Sequence, residues 1–374
     1  MPAYGVAGFI IAGMHIVVAP DSFKGTASAA KAAAGIANGI RQHYPTASIT
    51  TLPMADGGEG TAQVLAQAAA AGGQETQTIT LPTTDAVGRL TEAQYFLAGH
   101  TAFIDVAAAT GLPAVRDALD PLYADSYGTG VLLADAQSRG ATSIVLGLGG
   151  TASIDGGMGI LAALGAAGHD ERGYALPKGG APLVQLDSID TAQLNIKAAM
   201  LDFTLLADTR AKAMQAATMY GPQKGAEGEQ IALLAGALLQ LCKVTGTNPE
   251  TEFTGAAGGI PIGLTWLSRT LWGTDEHASV VSGGAHVAKA LGLAEAISQA
   301  DLVITGEGAF DEQSFTGKVV GTVADLAAES STPVGIIAGT IEQDTEHFTA
   351  ELDQAGGMSE QLARAARDII KQLG

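Results

Sequence analysis

The reading that decides the fold runs through MHIVVAPDSFKGT (14–26), SAAKAAAGIANGIRQHY (28–44), SITTLPMADGGEGT (48–61) and TAQVLAQAAAA (61–71). HIVVAP (15–20) is a short apolar run rich in β-branched residues, as a strand buried on both faces requires. An Ala-rich stretch follows at helical spacing, with Ser28 placed to cap its N-terminus. SITTLPM (48–54) reads as a second strand, and 61–71 as a second helix. Strand alternating with helix argues for a parallel, doubly wound sheet.

Outward from this stretch the rhythm changes and then returns. From about Gln77, QTITLPTTDAVGRLTEAQYFLAGHTAFIDVA (77–107) alternates with period two between polar turns, the pattern of antiparallel strands. TSIVLGLGG (142–150) is another apolar strand, whereas residues 170–260 mix Pro, Gly and short helical stretches without a clear period. Order resumes with ADLVITGEG (300–308) as a strand entering a Gly-rich turn, KVVGTVADLAAES (318–330) as a helix, and PVGIIAG (333–339) as a strand. The expected architecture is α/β. A Rossmann-like, doubly wound domain is built from 1–80 plus 285–374, and a second α/β domain, 81–284, is inserted into it. Residues 1–13 read as an N-terminal extension, since Met14 opens the first strand.

Composition narrows the function. The formal net charge of −19 repels nucleic acid and anionic lipid, so neither is an expected partner. A lone cysteine, Cys242, excludes an internal disulfide and a Cys-based metal site and fits a reducing, cytoplasmic compartment. It lies in an apolar run that reads as a buried helix. No apolar run reaches the roughly 18 residues of a membrane span. Fifty glycines sit in clusters after apolar runs, where a backbone approaches a ligand.

Three polar turns close strands of the first domain, where open parallel sheets bind ligands. Asp21-Ser22-Phe23-Lys24-Gly25-Thr26 puts a lysine at a helix entrance, suited to neutralising a phosphate. Asp56-Gly57-Gly58-Glu59-Gly60 sets two carboxylates among glycines, suited to Mg²⁺. Thr305-Gly306-Glu307-Gly308-Ala309-Phe310-Asp311 adds two more, able to hold metal or take a hydroxyl proton, with Lys318 beyond. In the middle domain, Gly147-Leu148-Gly149-Gly150-Thr151-Ala152-Ser153 precedes Asp155, and its backbone N–H groups can cradle a phosphate. Its spacing also satisfies a loose dinucleotide pattern, which leaves a dinucleotide-dependent oxidoreductase open as an alternative. No GxxxxGK[ST] occurs, which excludes a P-loop kinase.

Taken together, PDSFKGT, IDVAAATGL, DPLYADSYGTG, GLGGTASIDGGMG, YGPQKGA, GAAGG, MADGGEGT and DLVITGEGAFDEQSFTGK resemble the blocks of the type I glycerate kinase family. The resemblance runs from Met14 to about Gly339. It implies transfer of a phosphoryl group from ATP, with Mg²⁺, to D-glycerate, giving 2-phosphoglycerate. The block residues it carries over are Asp21, Ser22, Lys24, Asp56, Glu59, Asp155, Lys224, Glu307, Asp311, Gln313 and Lys318. We assign Lys24, Asp311 and Asp21 to catalysis. Ser22, Gly149, Gly150, Thr151, Ser153, Asp155, Lys224 and Lys318 are assigned to the nucleotide, and Asp56, Glu59 and Glu307 to metal. The partner is a small molecule, and the reading also allows a homodimer. Three departures bear on the acceptor. Ala309 stands where the family has Arg, the loop 207–226 is short, and Ile154 replaces an Asn. A retargeted or inactive relative is the corresponding alternative.

Overall fold

A computed structural model describes residues 13–315 and 318–373; the expected extension at 1–13 lies outside them but for Gly13. In chain order the strands are β1 (His15–Val18), β2 (Ser48–Thr51), β3 (Thr76–Thr84), β4 (Leu90–Ala98), β5 (Thr101–Asp105), β6 (Ser143–Gly147), β7 (Ala167–His169), β8 (Ser188–Asp190), β9 (Asp202–Ala207), β10 (Ala278–Ser282), β11 (Leu302–Phe310), β12 (Val334–Ile341) and β13 (Phe348–Glu351). They fall into two compact units, one of residues up to Asp56 and from Gly284 onward, the other Gly57–Gly283.

The first unit is a five-stranded sheet in the order β2-β1-β11-β12-β13, every neighbouring pair parallel. Counted within the unit this is the order 2-1-3-4-5, a doubly wound arrangement with its switch point between β1 and β11. Residues of β1 alternate between faces, so Ile16 and Val18 join one cluster with Ile36, Ile40, Leu362 and Ile369. The helices Ala29–His43 and Met358–Leu373 cover that face, and Val319–Ser330 packs on β11 and β12. Burial on both faces is why these strands read as unbroken apolar runs. Gly39 matters here, because a Cβ on it would lie 2.4 Å from Ala363 Cα and would drive the two helices apart.

Two expectations need correction. Residues 57–80 belong with the second unit, so the division falls after Asp56 and not near residue 80. The cause is packing, since the helix Thr61–Ala71 lies against β4 and β5. Nor is TGEG a turn. β11 continues through it and pairs with β12 as far as Phe310 and Ile341, because glycines tolerate close strand approach as readily as bends.

The second unit holds a mixed six-stranded sheet, β10-β9-β6-β5-β4-β3. The first four strands run parallel, and β5, β4 and β3 form the antiparallel pairs read from the period-two stretch. Its core includes Ile104, Leu132, Leu133, Ile144, Leu146, Leu205, Leu238 and Leu241, all with no exposed surface. Full burial of one such side chain contributes about 1.5–3 kcal/mol. From β7 to residue 260 the chain forms the β7–β8 ribbon, β9 and the long helix Glu229–Thr245, where Cys242 is buried as expected. Among the described residues no helix is long and apolar enough to cross a membrane.

Candidate active site

In the first unit the polar turns gather at the carboxyl ends of β1 and β11. After β1 the backbone keeps pairing with β11, through Ala19 N–H to Ile304 O and Asp21 N–H to Gly306 O, both at 2.8 Å. Asp21 is therefore held beside Glu307, and its carboxylate accepts the Ser22 N–H at 2.6 Å. The chain then bends tightly, with Phe23 and Ala27 bonded to each other and Gly25 at φ +79°. Lys24 is exposed on this bend. Beyond β2, backbone bonds from Leu52 to Val18 and from Met54 to Pro20 carry the chain alongside to buried Asp56.

Asp21, Asp56 and Glu307 are each at least nine-tenths buried and act on one another electrostatically. Burial, followed by the charge of Asp56, pushes the Asp21 carboxyl up to about 8, against the pull of Lys24. Glu307 is also raised, chiefly by burial, while the Ser314 hydroxyl and Lys318 pull it down. One carboxylate oxygen of Glu307, Oε1, is buried with no hydrogen-bond partner. Asp311 is half-buried nearby, its N–H donating to Ser314 Oγ at 3.0 Å and its carboxylate accepting from Gln313 N–H at 2.8 Å. Buried carboxylates with an unpaired oxygen are costly unless a cation joins them. Among the described residues no three His, Cys, Asp or Glu side chains form a metal-holding group. A cation here would be held by one or two carboxylates and completed by phosphate and water, which suits Mg²⁺.

The remaining predicted residues lie in the second unit. Glu59 is there and exposed, so neither unit alone unites it with Asp56 and Glu307. The Gly147–Ser153 run leaves β6 as expected, but its N–H groups are partly committed. Gly149 donates to Gly57 O, Ala152 to Thr110 O, and Ser153 to Thr151 Oγ1. Gly150 and Thr151 donate to no acceptor among the described residues.

Asp155 has no exposed surface, and its carboxylate accepts four bonds, from Ser126 N–H and Oγ–H and from the N–H groups of Gly157 and Gly159. Three of these bonds reach Oδ2 and one reaches Oδ1, so the carboxylate ties Ser126 to the start of the helix Met158–Ala163. Lys224 is buried too, donating to Ser153 O at 2.7 Å, and burial pulls its ammonium down to about 7.

Three residues escaped the sequence reading. Asp105 ends β5 and accepts the N–H groups of Gly60 and Ala62, capping the helix Thr61–Ala71 from a distant strand. Ser126 holds Asp155, and Ser314 ties Asp311 to Glu307. An Asp at a strand end was the one local signal, for Asp105.

A model of the glycerate kinase family matches residues 16–372. The chain belongs to the glycerate kinase family. A glycerate 2-kinase of Escherichia coli K12 is 37% identical over 386 residues, covering 96% of this chain and 98% of the relative. A glycerate kinase of Halalkalibacterium halodurans is 36% identical, covering 88% and 87%. A crystal structure described as glycerate kinase 2 from Salmonella typhimurium LT2 superimposes with a TM-score of 0.77 at 34% identity, covering 96% of this chain and 98% of that one. The chain is thus a phosphotransferase of this family, which implies a small-molecule acceptor.

Proposed function

We propose that the chain phosphorylates D-glycerate from ATP with Mg²⁺, yielding 2-phosphoglycerate and ADP. The observation that carries this is the buried trio Asp21, Asp56 and Glu307, flanked by Lys24 and Lys318, at the switch point of a parallel sheet. The relative named glycerate 2-kinase supports the choice of hydroxyl. Asp56 and Glu307 would hold Mg²⁺, which supplies charge neutralisation of the phosphates. Lys24 and Lys318 bind the transferring oxygens. Asp311 orients the acceptor hydroxyl and takes its proton as the new P–O bond forms and the bond to the β-phosphate breaks. Gly150 and Thr151 offer free N–H groups to an anionic oxygen.

Phosphorus NMR of the product from Mg-ATP and D-glycerate tests donor, acceptor and position together. Appearance of 3-phosphoglycerate, or no glycerate phosphate at all, refutes the reading. Lys24→Ala is expected to lower turnover about 100-fold in a folded protein. A retargeted acceptor is the second reading, favoured by the exposed Ala309 at the end of β11, where the family carries a cation. It predicts faster turnover with another small hydroxy acid in the same assay.

A further inference from the structure

Lys224 spends a buried charge on a single neutral acceptor. Only 3% of its surface is exposed, and its ammonium donates to the Ser153 carbonyl at 2.7 Å. Asp155 is the charged group acting on it, but that carboxylate accepts its bonds from Ser126, Gly157 and Gly159, and among the described residues Lys224 Nζ donates to the Ser153 carbonyl alone. An apolar side chain of similar volume would fill this place at lower cost, so stability alone does not account for an ammonium here.

The carbonyl it holds explains more. The 149–153 run is anchored at Gly149 N–H by Gly57 O, and at Ala152 N–H by Thr110 O. The Ser153 carbonyl is the next point along, crowded by Gly258, where a Cβ would come within 2.1 Å of that oxygen. Between the anchors, Gly150 at φ +78° turns the chain. This leaves the N–H groups of Gly150 and Thr151 without acceptors among the described residues. The bond to the Ser153 carbonyl adds a third anchor to this short arch.

We infer that Lys224 is a positioning residue, clamping the Ser153 carbonyl so that the Gly150 and Thr151 N–H groups are held ready for an anionic oxygen. This rests on the reading that the loop takes such an oxygen, either a phosphate oxygen of ATP or the carboxylate of glycerate. The test uses full-length protein, labelled to resolve the Gly150 and Thr151 amides by NMR. Mg-ATP and D-glycerate are titrated separately into wild type and Lys224→Met. In wild type, one of the two ligands is expected to shift both amides, which identifies the source of the oxygen. In Lys224→Met the Kd and KM for that ligand rise about 10-fold or more, while the urea midpoint stays level or increases.

If neither ligand moves the wild-type amides, the loop reading itself fails. If the amides move but Lys224→Met keeps Kd and KM within about twofold, the loop reading stands and the role of Lys224 is refuted. Should Lys224→Met not fold, Lys224→Ala, which lacks a donor and leaves room for water, is read by the same two criteria.

Discussion

Replacing Asp155 distinguishes a ligand-binding carboxylate from one that builds the fold. Asp155→Ala removes the acceptor for three buried backbone N–H groups, of Ser126, Gly157 and Gly159, now at 2.8, 3.2 and 2.9 Å. It also removes the acceptor of the Ser126 hydroxyl at 2.7 Å. That hydroxyl can turn elsewhere, but the backbone groups cannot. At about 1–3 kcal/mol for each orphaned donor, the loss is about 3–9 kcal/mol, and water entering the vacated space moves it toward the lower end, about 4 kcal/mol. Asp155→Asn retains one acceptor oxygen and turns an amide against the other donors, which costs about 2 kcal/mol. Both tryptophans of the chain, Trp266 and Trp272, lie in the second unit, so their fluorescence follows unfolding of that unit. With a urea m-value of about 3 kcal/mol per molar, Asp155→Ala shifts the midpoint down by a little over 1 M, and Asp155→Asn by about half as much. An unchanged midpoint in Asp155→Ala, together with a raised KM for ATP, would refute the structural role and return this carboxylate to the nucleotide.

Other perturbations follow from the same geometry. Asp105→Ala strips the remote cap from the helix Thr61–Ala71, and the tryptophan-monitored unfolding is expected to lose about 1–2 kcal/mol. Cys242 is 2% exposed, and burial pushes its thiol up to about 11, so a thiol reagent should label it only as the second unit unfolds; prompt labelling of native protein contradicts the placement. Asp353 is held at about 2 by paired hydrogen bonds from Arg364. Its folded pKa lies below the ordinary carboxylate value. The stabilisation from this pair is therefore full above about pH 4 and lost as pH falls toward 2. The measurement is the pH dependence of stability, which should be flatter across that window in Asp353→Asn than in wild type.

Much of the first unit was legible because local signals agreed. The β-branched run at 15–20, the Ser28 cap, the Ala-rich helix after it and the apolar run at 333–339 each pointed to the element that forms. The antiparallel pairs of β3, β4 and β5 were equally plain, since one face of each strand alternates with polar residues. Residues 170–260 resisted because the two strands there, β8 and β9, are three and six residues long and the glycines of this stretch are set by distant packing. Gly180, for example, admits no Cβ because the Ile154 carbonyl lies 2.2 Å from where it would stand. Composition names a residue type but not the direction its side chain takes. Lys224 and Asp155 therefore read like ligand contacts, although each turns inward to partners 71 and 29 positions away.

The same limit explains why the core of the site could be listed from sequence but not assembled. Asp21 and Glu307 lie far apart along the chain, separated by the whole second unit, and no local period relates them. Their adjacency comes from sheet order. The strand following β2 within this unit is β11, and it pairs not with β2 but with the opposite edge of β1. That reversal opens the crevice of a doubly wound sheet. It also seats a second buried carboxylate beside the first, so that Asp21 is raised by burial and by Asp56, and Glu307 keeps an unpaired oxygen. A fold stabilised only by its apolar contacts would gain from losing those charges. Their place where strand order reverses is the physical argument behind the cation and phosphate site proposed above.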